Sequence, residues 1–231
     1  DGVRSRIRSR LWPDLPGVRY TGSTAWRGVC DPLPGMDFEI VQTFGLGAEF
    51  GFLPLTNGRI YWYASALRPE GETAGDERAE LAKQYGDWHA TIPALIDATE
   101  TIVRSDIVAV SEVPHSLARG RVVLVGDAGQ GMTAHLGQGG GTAIEDGVVL
   151  AAALAADPDN IDEALSRYDE ARVPRVTSLA AIAEGIRRAS QELSLEDMEA
   201  RNRSMKSSSP ADVFRLSTDT TAWEPPALVN R

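Results

Sequence analysis

The residues of this chain whose types and spacing could do chemistry lie in one segment, Gly126 to Gly147, GDAGQGMTAHLGQGGGTAIEDG. An apolar run, RVVLVGD, leads into it with the length and β-branched content of a buried parallel strand. Asp127 then stands at the carboxyl end of that strand, where open α/β sheets place their ligands. Its carboxylate can accept hydrogen bonds from ribose or polyol hydroxyls. Gly139, Gly140 and Gly141 open a helix, so their N–H groups are free donors at an end where the macrodipole favours negative charge. Glycine also lets a ring or a phosphate approach the backbone closely. On residue types alone the segment is an anion or nucleotide cradle, or else a glycine-rich strand-to-helix loop with no ligand. Gly129, Gly131 and Ala134 also fit a G-x-G-x-x-A spacing. That match is weak, because Asp127 intervenes after the strand and the better helix start comes later, at 139–142.

No second constellation competes. G-x-S-x-G is absent, and His89, His115 and His135 lack metal-ligand spacing, so neither a catalytic nucleophile nor a metal is expected. His135 reads as a loop or surface histidine. The single cysteine, Cys30, leaves no internal disulfide framework, fits a reducing cytoplasm and reads as a small core residue. A net charge of −10 argues against broad nucleic-acid binding. The alternating Arg4, Arg6, Arg8 and Arg10 read as a solvated helix face. No stretch approaches the roughly 18 consecutive apolar residues of a membrane helix, and no apolar stretch follows the N-terminal arginines as in a signal peptide.

The elements that must position the glycine segment follow from periodicity. Val3, Ile7 and Leu11 give residues 1–12 one apolar helical face. From Tyr20 to Ser65 the texture is β: TAWRGV, FEIVQTF, AEFGFLPL and RIYWYAS alternate with Gly, Pro and Asn. Asn57-Gly58 predicts a type I′ hairpin turn. In the last strand Ile60, Trp62 and Ala64 face one way and Tyr61, Tyr63 and Ser65 the other. Helices are expected around 76–86 and 92–100, with a strand near 106–110. An Ala-rich helix is expected over 142–156. A striped helix follows from Ile161 to about Leu193, with Asn160 and Glu163 at capping-box spacing and Pro174 bending or restarting it. The Ser/Thr/Pro-rich tail from Lys206 is expected to wrap or fray.

The glycine segment resembles the second flavin motif of the class A FAD-dependent monooxygenases, the p-hydroxybenzoate hydroxylase-like family. The matching residues are Gly126, Asp127, Ala128, Gly137, Gln138, Gly139, Glu145 and Asp146. Asp1, Gly2, Ser5 and Arg8 match that family's D-G-x-x-S-x-x-R motif; TAWRGV and RYDEARVPR resemble its next strand and its long C-terminal helix. Gly129-Gln130 stand where the family has Ala-His, and Ala134 stands where it has proline. The family's first motif, a G-x-G-x-x-G after a strand, has no counterpart here.

The resemblance implies an α/β fold with an α+β substrate domain, a partial p-hydroxybenzoate hydroxylase-like architecture. Residues 1–15 would be a remnant of the FAD-binding domain and 16–110 the β-rich substrate domain. Residues 111–205 would return to the FAD-binding domain, and 206–231 would be an extended tail. Asp127 would bind the ribityl chain, and Gly137, Gln138, Gly139 and Gly140 the pyrimidine edge of the flavin. Asp1 and Arg8 would sit near the pyrophosphate and the nicotinamide approach, and Arg27 would be a polar group on the substrate side. The implied reaction uses NAD(P)H to reduce FAD, forms a flavin C4a-hydroperoxide, and hydroxylates or epoxidises an aromatic or apolar small molecule. The missing first motif implies a separate N-terminal segment as partner. The alternative is a non-catalytic fragment or ligand-binding module that needs that piece to bind FAD.

Overall fold

The structure is a computed structural model that describes residues 1–36, 39–191, 193–209, 211, 218 and 220–226. Its elements, in chain order, begin with α1 (Arg6–Leu11), β1 (Val18–Cys30), β2 (Val41–Phe44), β3 (Ala48–Pro54) and β4 (Ile60–Leu67). Next come α2 (Glu77–Tyr85), α3 (Thr91–Asp97), β5 (Ile102–Val110), β6 (Ala118–Arg119) and β7 (Val122–Val123). The last four are α4 (Asp127–Gln130), α5 (Gly139–Ala156), α6 (Ile161–Gln191) and α7 (Leu195–Ser207). Two compact units result. One combines Asp1–Thr21, Val108–Arg187 and the described residues from Arg201 onward; the other combines Gly22–Ile107 with Arg188–Ala200.

The second unit is built on a five-stranded sheet of order β2-β3-β4-β1-β5. Strand alternation gives it two unlike faces. Trp26, Phe50, Phe52, Ile60, Trp62, Ala64 and Ala66 are buried together with Leu81 and Tyr85 of α2 and Ile92, Leu95 and Ile96 of α3. Phe50 stacks on Trp62 with ring centroids 5.3 Å apart. The Trp62 indole donates to Thr99 Oγ1 at 2.7 Å, and that hydroxyl donates in turn to the Leu95 carbonyl. Cys30 is buried in this core, where burial pushes its thiol pKa up. On the opposite face, register aligns Arg27 with Tyr63 and Gly51, and Val29 with Tyr61. The Tyr63 ring lies over Gly51, filling the space a side chain there would need. Further along this face Gln191 accepts a hydrogen bond from Ser23 and donates one to Ser65.

Several local expectations change. The β3–β4 hairpin closes through Thr56-Asn57-Gly58, with a hydrogen bond from the Leu55 N–H to the Arg59 carbonyl at 2.8 Å. Only Gly58 has positive φ (80°), so this is a three-residue loop and not a type I′ turn. On α1 the buried residue is Arg8, while Ile7 is 49% exposed, the reverse of the apolar stripe. The reason is that the Arg8 guanidinium finds two carbonyl acceptors in the interior.

The 121–125 run forms no long parallel strand; Val122–Val123 pairs antiparallel with Ala118–Arg119. A ladder needs a neighbour, and among the described residues this run has only 117–119 beside it. Helix α6 runs unbroken through Pro174, because its packing and ion pairs on both sides of the proline outweigh one lost backbone bond. Asn160 Oδ1 accepts from the Glu163 N–H at 3.3 Å, half of the expected capping box. Helix α7 was not foreseen, and half of the tail lies outside the described residues.

A Cβ added at Gly28 would lie 2.6 Å from the Trp62 ring and from Thr99. Gly28→Ala is therefore expected to lower the urea-unfolding free energy by about 1–3 kcal/mol. An unchanged midpoint would contradict the close packing of Trp62 on β1.

Candidate functional site

The first unit places the glycine segment on a scaffold of buried charges. Gly126 has φ 55° and ψ −146°, a conformation open in practice to glycine alone, and it turns the chain into α4. A Cβ at Gly126 would approach that of Ala143 on α5 to 3.1 Å. Asp127 is the first residue of α4 and its side chain is exposed. A 3-10 turn over Ala134–Leu136 ends at Gly137 in the left-handed region, and Gln138 caps α5 without a side-chain hydrogen bond. The first intrahelical bond of α5 runs from the Thr142 N–H to the Gln138 carbonyl at 2.9 Å. The N–H groups of Gly139, Gly140 and Gly141 therefore point out of the helix end. Space is open at Gly137 and Gly140, and Asp127 Oδ1 lies 4.0 Å from where a Cβ on Gly139 would stand. So Asp127, Gly137, Gln138, Gly139 and Gly140 come together on one surface.

What fixes this surface is Asp146. It is fully buried and accepts from the Gly126 N–H at 2.7 Å, from Gln130 Nε2 at 2.6 Å and from Arg172 Nε at 2.7 Å. Arg172, equally buried, also donates to Glu145 Oε2 at 2.7 Å, and Arg175 forks onto both Glu145 oxygens at 2.6 Å. Burial alone would raise the Glu145 carboxyl pKa; the hydrogen bonds and charges of Arg175 and Arg172 outweigh it and hold the group below the ordinary value. The acidic pair of the sequence motif thus ties the Gly126–Gln130 turn, α5 and α6 together. Helical spacing from Tyr168 puts Arg172 on the buried stripe of α6, and an arginine there is the signal that could have revealed it.

Arg8 reaches the same turn from the other side, donating to the Ala128 carbonyl at 2.8 Å and to the Val3 carbonyl at 2.7 Å. Asp1 Oδ2 accepts from the Ile7 N–H at 3.3 Å. His135 is half-buried; burial, then the charge of Arg187, push its pKa down to about 4 against the opposing pull of Glu184, so it is neutral at ordinary pH. Arg27 belongs to the second unit, where its Nη1 donates to Ser105 Oγ at 3.0 Å. Among the described residues no cluster of His, Cys, Asp or Glu could hold a metal. Helix α5 has the length and hydropathy of a membrane span, yet it carries Glu145 and Asp146 in ion pairs with α6.

The FAD binding domain family matches residues 1–183. The chain belongs to that family. It is 42% identical over 186 residues to the aurachin C monooxygenase/isomerase of Stigmatella aurantiaca, covering 78% of this chain and 48% of that protein. With the FAD-dependent urate hydroxylase of Klebsiella pneumoniae it shares 34% over 187 residues, again 78% and 48% of the two chains. The chain thus spans about half the length of the curated relatives it matches. The fold agrees with that of Klebsiella pneumoniae HpxO solved with FAD and uric acid: TM-score 0.88 at 29% identity, over 95% of this chain and 58% of that one. In fold class the chain is therefore α/β, of the FAD-binding monooxygenase type.

Two expectations follow from the charge network. Arg172→Met would leave Asp146 buried beside no cation and is expected to cost about 3–5 kcal/mol in unfolding free energy; calorimetry would read it, and a loss under about 1 kcal/mol would contradict the network. Glu184 also pairs with Arg19 at 2.9 Å and Arg187 at 2.8 Å. Burial would raise its carboxyl pKa, but hydrogen bonds from Arg187 and Arg19 pull it from 4.5 down to about 2. The folded value lies below the unfolded one, so this stabilisation is complete above about pH 4.5 and is lost as pH falls toward about 2. Melting temperatures of the wild type should fall through that window more steeply than those of Glu184→Gln.

Proposed function

We propose that this chain forms part of an FAD-dependent, NAD(P)H-consuming monooxygenase that hydroxylates or epoxidises a small aromatic or apolar molecule in the cytoplasm. The observation that carries the reading is the exposed Asp127 carboxylate facing the uncapped, glycine-lined start of α5. These residues fit a flavin. A flat ring system can lie on backbone that has no side chains, with its acceptor atoms toward free N–H groups. Asp127 can accept from the ribityl hydroxyls. When bound, FAD supplies the redox and oxygen-activating chemistry.

The protein's own contribution is placement and electrostatics. The dipole of the 18-residue α5 favours negative charge at Gly137–Gly140, which stabilises an electron-rich ring at that end. Asp1 and Arg8 would support the phosphate side of the cofactor, Arg8 through its hold on the Ala128 carbonyl. In the other unit the Arg27, Tyr61 and Tyr63 face would wall the substrate cavity and help keep water from it. Burial, then the charges of Glu49 and Tyr61, raise the Tyr63 hydroxyl pKa, so the group remains a neutral donor. The relative named for urate supports a small aromatic molecule as substrate. A segment corresponding to the rest of those relatives is the partner that completes the site.

Asp127→Ala is expected to abolish flavin retention by the completed protein, read as loss of the visible flavin bands after desalting. Normal flavin content in that variant would overturn the site; in the unmutated completed protein, normal flavin content with no substrate-dependent NAD(P)H oxidation would favour a non-catalytic ligand-binding module.

A further inference from the structure

The first unit holds a cavity of about 350 Å³ whose lining includes none of Asp127, Gly137, Gln138, Gly139 and Gly140, and no residue of the five-stranded sheet's own unit. We propose that this cavity binds a neutral aliphatic molecule with one hydroxyl, in its simplest form a short-chain alcohol, its hydroxyl at Thr133 and its chain along α6. The site does not depend on the flavoprotein reading, and FAD uptake has no bearing on it.

Three segments wall the cavity. On α6 its lining residues are Val173, Thr177, Ala180, Ala181 and Glu184. Steps of three and four place them along one side of the helix. The adjacent alanines keep that side low and give the cavity room. Facing α6 are the end of β5, continued through Pro114, and the Gly131–Thr133 segment between α4 and the 3-10 turn. The Val110 N–H donates to the Gly131 carbonyl at 2.8 Å, which ties these two walls together. Ser111 Oγ donates to the Gly17 carbonyl at 2.7 Å, so that hydroxyl is already engaged.

The character of the walls selects the ligand. Among the described residues no phenylalanine, tyrosine or tryptophan lines the cavity. Its apolar lining is alanine, valine, proline and Met132, whose thioether chain adapts to an irregular shape. Such walls suit a flexible chain better than a flat ring that needs another ring to stack on. The polar feature inside is Thr133. It is 3% exposed, and its hydroxyl has no hydrogen-bond partner among the described residues. Nor does it cap the 3-10 turn that follows. A buried hydroxyl without a partner costs free energy, and a ligand hydroxyl can accept from it or donate to it. At the rim Arg19 is paired with Glu184 at 2.9 Å, and His115 Nε2 lies 3.9 Å from Glu112 Oε1. Neither pair offers an unopposed charge to a carboxylate or an ammonium, so the ligand is neutral.

The test titrates 1-hexanol into the full chain, prepared with methyl-labelled methionine, and follows the methyl resonances by NMR. Met132→Leu assigns the signal that reports on the cavity. That signal is expected to shift to saturation, while the signal of Met36, packed on the core of the second unit, does not move. Affinity should rise roughly fourfold for each methylene added between 1-butanol and 1-hexanol. Hexanoate and hexylammonium should bind at least about tenfold more weakly than 1-hexanol. Thr133→Val keeps the shape of the side chain and should lower hexanol affinity by about tenfold. Its melting temperature should be equal to or above the wild type's, because the variant removes a hydroxyl that the folded chain leaves unpaired. Ala180→Leu should fill the cavity and abolish the shift. A Met132 signal that hexanol leaves unmoved, or hexanoate binding as tight as hexanol, overturns the proposal in the wild type alone. Unchanged hexanol affinity in Thr133→Val overturns it as well, and tighter binding of benzyl alcohol than of hexanol overturns the aliphatic assignment.

Discussion

The geometry of the first unit hangs on one buried carboxylate. Asp146 takes three donors in the interior: a backbone N–H of the Gly126 turn, the Gln130 amide and the Arg172 guanidinium. A lone carboxylate at this depth would be very costly, so each donor is obligatory and each fixes a different element. Gly126 sets the direction in which Asp127 leaves the turn. Gln130 closes the far end of α4. Arg172 brings α6 against α5, and Glu145 and Arg175 leave the cluster with two positive and two negative charges. The exposed surface at Asp127 and Gly139 is therefore set from behind by groups that never reach it.

The second unit obtains its order from aromatic packing instead. Trp62 is pinned through Thr99 to the end of α3, Phe50 stacks on it, and Gly28 leaves room for the indole. This apolar face can be well packed because the opposite face of the same strands bears the polar and half-buried groups. Division of labour across a single sheet lets one face supply the apolar packing while the other carries the polar contacts of Ser23, Arg27 and Ser65.

How much of this was legible in the sequence depended on whether a residue's role is local. The glycines at 137–141 and the helix after them could be read directly, because free N–H groups and absent side chains are properties of the residues themselves. The alternation in β4 was equally legible, since its period of two places Ile60, Trp62 and Ala64 inward without knowledge of their partners. Arg8 was misread as solvated because its acceptor, Ala128, is 120 residues away. The Asn57-Gly58 pair marked the turn correctly but not its type, which depends on how Leu55 and Arg59 pair. The 121–125 run has strand composition, yet composition carries no information about which neighbours are there to pair with. Glu145 and Asp146 matched a motif without disclosing their task; only their distance to Arg172 shows it.

Gly51 and Tyr63 have a further implication for how this sheet can change over time. The tyrosine ring occupies the volume that any side chain at 51 would require, so the two positions behave as one inherited unit. A larger residue at 51 is tolerated only after the ring at 63 has moved or shrunk, whereas loss of the ring requires nothing of the glycine. The order of substitutions is thereby constrained: remodelling of this face must begin at 63.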